Sequence, residues 1–247
     1  MPAVHLPAPF EPVGDHIGIA LPGGRALFTT RRGGVSEGAY ASLNLGRWTD
    51  DDAQAVDRNR QIVADTIALP LDAVVQGRQV HGSRIERVAA RPEPGREPPE
   101  VDGIAVGPRG LAALVLTADC LPVAVIGQHA VAMLHAGWRG LADGVLEEGV
   151  EALRELGDDG SLQAAIGPGA GGCCYEVGPE VQAAFGHPPR QAKIDLKAIA
   201  AERLRAAGVA EVHDVRLCTM CSDPELFFSH RGDGGVTGRQ AGIAWRS

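Results

Sequence analysis

Three short words in the sequence set a potential metal ligand beside small residues. They are Gln79-Val80-His81-Gly82, Thr117-Ala118-Asp119-Cys120 and Leu134-His135-Ala136-Gly137-Trp138-Arg139-Gly140. Small neighbours permit the close approach that a bound ion requires. Two imidazoles and one thiolate suit Zn²⁺, and three protein ligands leave a fourth position for water or substrate. An ion there brings the pKa of that water to about 7 and keeps Cys120 as thiolate. Taken singly, His81 and His135 also read as satisfied buried histidines and Cys120 as a small core residue. Spacing does not decide, because the three lie far apart in the chain and only the fold can bring them together. Such a site predicts about one zinc per chain and an affinity that falls as the histidines protonate.

Other segments carry weaker signals. After His135, free N–H groups at a helix start and the Arg139 guanidinium suit phosphate or another anion, although a strand-to-helix turn needs the same glycines. Residues 166–174 (IGPGAGGCC) form a glycine loop without the Lys-Ser/Thr of a P-loop, which argues against a nucleoside triphosphate. Cys173 and Cys174 are adjacent, and Cys218 and Cys221 form a C-x-x-C. A four-thiolate zinc is conceivable, but tandem cysteines depart from knuckle spacing, so the four are read as unlinked thiols.

The elements that must position these groups follow from periodicity. Strands are predicted at 25–30, 73–81, 84–89, 111–116, 121–126, 130–135, 162–166, 212–217 and 240–245, and helices at 50–69, 138–156 and 197–207. Thr49 or Asp50 would cap the first helix. Residues 91–100 (RPEPGREPPE) read as an exposed loop. The mixture without regular β-α alternation predicts one α+β domain, a layered α/β sandwich over residues 25–247, preceded by an extended lead-in over 1–24. Hydrophobic residues make up 45 % and aromatics only 4 %, so the core must rest on aliphatic side chains. A net charge of −8 argues against a nucleic-acid partner. No apolar run is long enough for a membrane helix, and no leader pattern opens the chain, so a cytoplasmic protein is expected. An odd count of five cysteines agrees with a reducing compartment.

The words QVHG, TADCLPV, HAGWRG, CCYEVG, LCT, FFSHRGDGG and TGR, with TTRRGGVSEGAYASLNLG at 29–46, closely resemble the bacterial YfiH/YlmD family. Its members were first described as multicopper polyphenol oxidases or laccase-domain proteins. The resemblance spans about residues 25–245. It implies a zinc-dependent purine nucleoside phosphorylase acting on adenosine, inosine and S-methyl-5′-thioadenosine, with adenosine deaminase activity. It places the metal and catalytic residues on His81, Cys120 and His135; a single Cu²⁺ could occupy the same site, because copper outbinds zinc at most nitrogen and sulfur sites. Arg31, Asn44 and Gln79 match further recurrent positions and would surround the substrate. The implied fold is shared with cysteine-hydrolase-like toxin domains of the cytotoxic-necrotizing-factor type. Partners would be nucleoside and phosphate, with a monomer favoured.

Two departures stand out. The family's FFSYRR is here Phe227-Phe228-Ser229-His230-Arg231-Gly232, and Gly171-Gly172 replace the usual Gly-Pro before the tandem cysteines. The oxidase label fails on ligand count: four coppers need about ten histidines, largely in His-x-His pairs. The chain has 8 histidines and no such pair. A rival reading is a metal-free hydrolase linked to peptidoglycan precursor editing, with Cys120 attacking an acyl carbon and His135 or His81 as its base. A site that merely staples strands fits less well, because structural zinc sites are normally closed.

Overall fold

The computed structural model describes residues 5–93, 95–186, 188 and 193–247. Among the described residues, twelve strands form two six-stranded sheets. The first has the order β1 (Glu11–Val13), β2 (His16–Leu21), β3 (Gly24–Phe28), β12 (Gln240–Arg246), β7 (Ala112–Thr117) and β4 (Val74–Gln76). The second runs β11 (Val209–Asp214), β10 (Leu162–Ile166), β8 (Leu121–Ile126), β9 (Val131–Ala136), β6 (Gly103–Val106) and β5 (Ile85–Val88). Pairing is antiparallel except for β4 with β7, β5 with β6 and β10 with β11.

Period-2 alternation explains how the sheets stack. Ile17, Ile19, Phe28, Val115 and Ala244 of the first sheet meet Ile104, Ala124, Ile126, Met133 and Ala165 of the second in one core. The opposite face of the second sheet, with Val123, Val125, Leu134 and Leu162, is covered by α3 (Val145–Glu155) and α5 (Leu196–Ala206). The opposite face of the first, with Leu27, Leu114 and Ile243, packs on Val63 of α1 (Ala53–Thr66). The result is a helix, sheet, sheet, helix sandwich. Strands β7, β8 and β9 are buried along their whole length, which is why they read as unbroken apolar runs.

Several boundaries differ from the sequence reading for identifiable reasons. Helix 138–156 is two helices, α2 (Trp138–Ala142) and α3, because Gly144 takes φ 92° between them. Helix α1 is capped by Asp52 rather than Thr49 or Asp50, its carboxylate accepting from the Gln54 N–H. The strand expected at 73–81 stops at Gln76, and that at 212–217 is displaced to Val209–Asp214. Helix α4 (Pro179–Ala184) and strand β6 carry too short a period to stand out. The lead-in of 1–24 is corrected most. Residues 1–4 lie outside the described residues, but β1 and β2 form the edge of the first sheet, and Ile17, Ile19 and Leu21 enter the core between the sheets. Its prolines masked that pattern. The loop 91–100 is largely exposed, apart from residue 94, which lies outside the described residues. Among the described residues no helix is long and apolar enough to cross a membrane.

Candidate metal centre and active site

Two of the chain's crossings between the two sheets meet at the site, at one end of the sandwich. One crossing joins β4 to β5 and carries His81; the other joins β7 to β8 and carries Cys120. His135 lies in β9 next to the second crossing, its Cα paired with that of Pro122. By alternation it shares the inter-sheet face with Met133. Both crossings turn through a left-handed residue, His81 (φ 62°) and Asp119 (φ 93°). That conformation is costly for a residue with a side chain, and it persists where the surroundings over-determine it.

What over-determines the first crossing is Asp102, fully buried just before β6. Its carboxylate accepts from the N–H groups of Val80 (3.2 Å), His81 (2.9 Å) and Gly82 (2.7 Å), and contacts His135 Nδ1 at 2.8 Å. One carboxylate thus fixes both histidines and leaves His135 Nε2 as that ring's other nitrogen. A Cβ at Gly137 would stand 3.1 Å from Cys120 Sγ and 3.2 Å from His81 Cδ2, and one at Gly140 would stand 2.5 Å from the Gly82 carbonyl oxygen. These two glycines let α2 close onto the site.

The ligating atoms of His81, Cys120 and His135 all lie within 4.8 Å of one another. The imidazole rings are edge to face, with centroids 4.9 Å apart. Burial pushes the Cys120 thiol up, but His135 and His81 beside it outweigh that and bring it to about 6. Burial favours neutral His135, yet the Cys120 sulfur and the Asp102 carboxylate more than reverse this, raising it to about 9. Burial also works against the Asp102 charge, but hydrogen bonds from His135 and from the Gly82 N–H hold its carboxyl below the usual range. A thiolate–imidazolium pair is therefore favoured where no ion is bound. The donor set fits a divalent ion: two imidazoles, one acidic thiol, and a carboxylate bracing one histidine from behind, as at many zinc sites.

The three residues open into a cavity of about 390 Å³, within the range of small-molecule sites. Arg139, Arg231 and Arg239 line it with Trp48, Trp138 and Tyr175. Arg139 stacks on Trp138 at 4.4 Å and Arg231 on Tyr175 at 4.8 Å. Asp119 is also in the wall, but its carboxylate is held by Thr219 Oγ1 (2.6 Å), Ser229 Oγ (2.7 Å) and the Arg231 N–H (2.8 Å).

The residues expected around the substrate fare differently. Gln79 lines the cavity, but its amide is committed to the backbone of Leu116, donating to the carbonyl at 2.7 Å and accepting from the N–H at 2.8 Å. Arg139 also lines it, but α2 is only five residues long, so the anion reading passes from a helix start to the guanidinium itself. Arg31 and Asn44 are absent from the wall. Arg31 donates to the carbonyls of Ala41 and Pro224 and stacks on Phe228 at 4.5 Å. Asn44 is fully buried; it donates to Thr49 Oγ1 and Asp51, and accepts from the N–H groups of Gly46 and Arg239. Asn44 therefore shapes the wall from behind through Gly46, Thr49 and Arg239. Sequence reasoning missed Asp102, Tyr175 and Arg239 as site residues. An acid directly before the apolar run 103–106 was the available signal for Asp102. The four cysteines read as unlinked also come together, their sulfurs all within 4.8 Å of one another.

Residues 25–247 match the family model described as multi-copper polyphenol oxidoreductase laccase. A Corynebacterium glutamicum protein named purine nucleoside phosphorylase is 37 % identical over 234 residues, covering 90 % of this chain and 94 % of that protein. A Xylella fastidiosa protein of the same name is 40 % identical over 246 residues, covering 91 % and 93 %. The crystal structure of YlmD from Geobacillus stearothermophilus superposes with a TM-score of 0.88 at 33 % identity, covering 97 % of this chain and 99 % of that one.

Proposed function

The chain belongs to the family described as multi-copper polyphenol oxidoreductase laccase, and on that footing we propose that it is a metal-dependent purine nucleoside phosphorylase. The preferred metal is zinc, and the substrates are adenosine, inosine and S-methyl-5′-thioadenosine, with deamination of adenosine as a second activity. The observation that carries this reading is the opening of the His81, Cys120 and His135 cluster into a cavity also lined by Arg139, Arg231 and Arg239. Relatives named purine nucleoside phosphorylase support it. Among the described residues, the triad is the one group of three or more potential ligands that contains histidine, which argues against a four-copper oxidase. Because the whole cluster and its cavity come from one chain, a monomer suffices.

When bound, zinc (or copper on the same donors) supplies Lewis acidity. The chain's own residues do the rest. Guanidiniums of Arg139, Arg231 and Arg239 attract and orient phosphate through charge-assisted hydrogen bonds. Trp48, exposed in the cavity wall, offers an aromatic face for a purine. Phosphorolysis then forms a bond from phosphate oxygen to C1′ and breaks the bond from C1′ to N9, the electron pair leaving with the base. Deamination replaces the C6 amino group by oxygen from water. C1′ and C6 lie several ångströms apart, so the two reactions need two poses of the nucleoside.

The test is the ratio of adenine to inosine formed from adenosine as phosphate is titrated. Arg139→Ala should slow adenine release at least tenfold while sparing deamination, with Arg139→Lys in between because it keeps charge without the planar fork. A ratio indifferent to both phosphate and Arg139 sinks this reading. A second reading has one observation in its favour, the Cys120–His135 pair oriented by Asp102, which is the order of nucleophile, base and orienter. A cysteine hydrolase of that kind, acting on peptidoglycan precursors, would keep its activity after metal removal, whereas the phosphorylase would lose it.

A further inference from the structure

Two segments outside the triad bring four thiols to a single point. The loop after β10 carries Cys173 and Cys174, and the loop after β11 carries Cys218 and Cys221. The loops are joined where Gly169 bridges to Cys218 in parallel. All four sulfurs fall within 4.8 Å of one another, and those of Cys173 and Cys221 are 3.4 Å apart. A tetrahedral zinc with bonds of about 2.3 Å to sulfur separates its ligands by about 3.8 Å, inside that spread. A disulfide brings its sulfurs to about 2.05 Å, and the five cysteines are free.

The backbone around Cys218 is arranged for a thiolate. Cys218 Sγ accepts from the Gly171 N–H at 3.3 Å, and the N–H groups of Met220 and Cys221 also donate to it. Three donors on one sulfur suit a negative charge, and the last two come from the C-x-x-C turn itself. Adjacent cysteines reach the same point because Cys174 and Tyr175 both turn back to the Gly171 carbonyl, each at 2.9 Å. Cationic groups stand close by. Lys193 Nζ donates to the Cys173 carbonyl at 2.6 Å, and buried Lys197 donates to the Leu217 carbonyl at 3.0 Å, next to Cys218.

We propose that Cys173, Cys174, Cys218 and Cys221 form a second metal site, a closed tetrathiolate that holds zinc and staples the two loops together. Four protein ligands leave no open position, so this ion is structural. Binding releases the protons of the thiols and forms four zinc–sulfur bonds, with no change of oxidation state. The staple positions part of the active-site wall from outside it. One loop carries Tyr175, and the other carries Thr219, whose hydroxyl donates to Asp119 beside Cys120. The chain therefore binds two zinc ions, not the one that its histidines suggest.

Elemental analysis of purified protein, after dialysis against metal-free buffer, should find two zinc per chain. The double variant His81→Ala/Cys120→Ala should retain one, with four sulfurs and no nitrogen around it by X-ray absorption at the zinc edge. Adding Cys173→Ser and Cys221→Ser, both at exposed positions, should remove it. A measurement that needs no variant titrates the wild-type protein with an organomercurial in the presence of a chromophoric zinc chelator. One equivalent of zinc should be released in step with the modification of these four thiols. A folded double variant free of zinc, a nitrogen ligand on its remaining ion, or four modified thiols without zinc release overturns the proposal. So does a mass count showing the four cysteines paired as two disulfides.

Discussion

Asp102 shows how much of the candidate site rests on one side chain that touches no substrate. It takes four N–H groups, three from the His81 crossing and one from His135. Asp102→Asn keeps the shape but replaces one acceptor oxygen by an NH₂ that faces donors. Zinc affinity of the triad should fall about 10- to 100-fold, as expected for loss of a carboxylate behind a ligating histidine. Competition with a chelator of known affinity measures it, and an unchanged affinity would remove Asp102 from the site. The same residues set a pH dependence. With Cys120 at about 6 and His135 raised to about 9, the ion-free pair holds one proton between those values. A metal must expel that proton, because it needs neutral imidazole. Affinity should therefore rise roughly tenfold per pH unit from 6 to 9, and fall more steeply below 6 as the thiolate also protonates. Zinc competition at pH 6, 7 and 8 gives the slope, and a flat line speaks against histidine ligation.

At the scale of elements, α2 and the crossing after β4 are held at a distance that only glycine allows. Gly140→Ala would set a methyl 2.5 Å from the Gly82 carbonyl oxygen, which is backbone and cannot swing aside. The helix or the crossing must shift, at a cost of about 1–3 kcal/mol in stability. Because His81 sits on that crossing, metal affinity should drop by more than tenfold, beyond what the stability change accounts for. Thermal denaturation of metal-free protein beside a zinc titration separates the two effects, and equal losses in both would mean that the contact is structural alone. Elements were legible in the sequence where burial is uniform or one face is clearly apolar. Strands β7, β8, β9 and β10 and helices α1 and α5 fall within a few residues of their predicted ranges. Gly144 was legible as a glycine but not as a break, because a single glycine inside a helical pattern reads the same whether φ is negative or 92°.

The whole molecule depends on its first residues more than their composition suggests. Ile17, Ile19 and Leu21 of β2 are between 2 % and 9 % exposed and face the second sheet. Burying such side chains contributes about 1.5–3 kcal/mol each, so deleting residues 1–22 should cost on the order of 5 kcal/mol, comparable with the total stability of a domain. The truncated chain should fail to unfold cooperatively in urea, and it should bind zinc weakly at the triad, because sheet one carries the approaches to both crossings. A truncated protein with an unchanged midpoint would return these residues to the status of a lead-in.

Residue type and local pattern determined the chemistry that this chain can attempt: soft and borderline ligands in short words that contain small residues, an arginine after the third, and apolar strands to hold them. Those are properties of short words, readable without knowing what lies opposite. Assembly was decided only in three dimensions. His81, Cys120 and His135 meet because β4 and β7 lie in one sheet while β5 and β8 lie in the other, so both crossings fall at the same end of the sandwich. Spacing along the chain carries no trace of that. The same reason hid Asp102, whose partners lie about 20 to 33 positions away, and the four cysteines, whose halves are separated by α4, α5 and β11 before a single parallel bridge joins them.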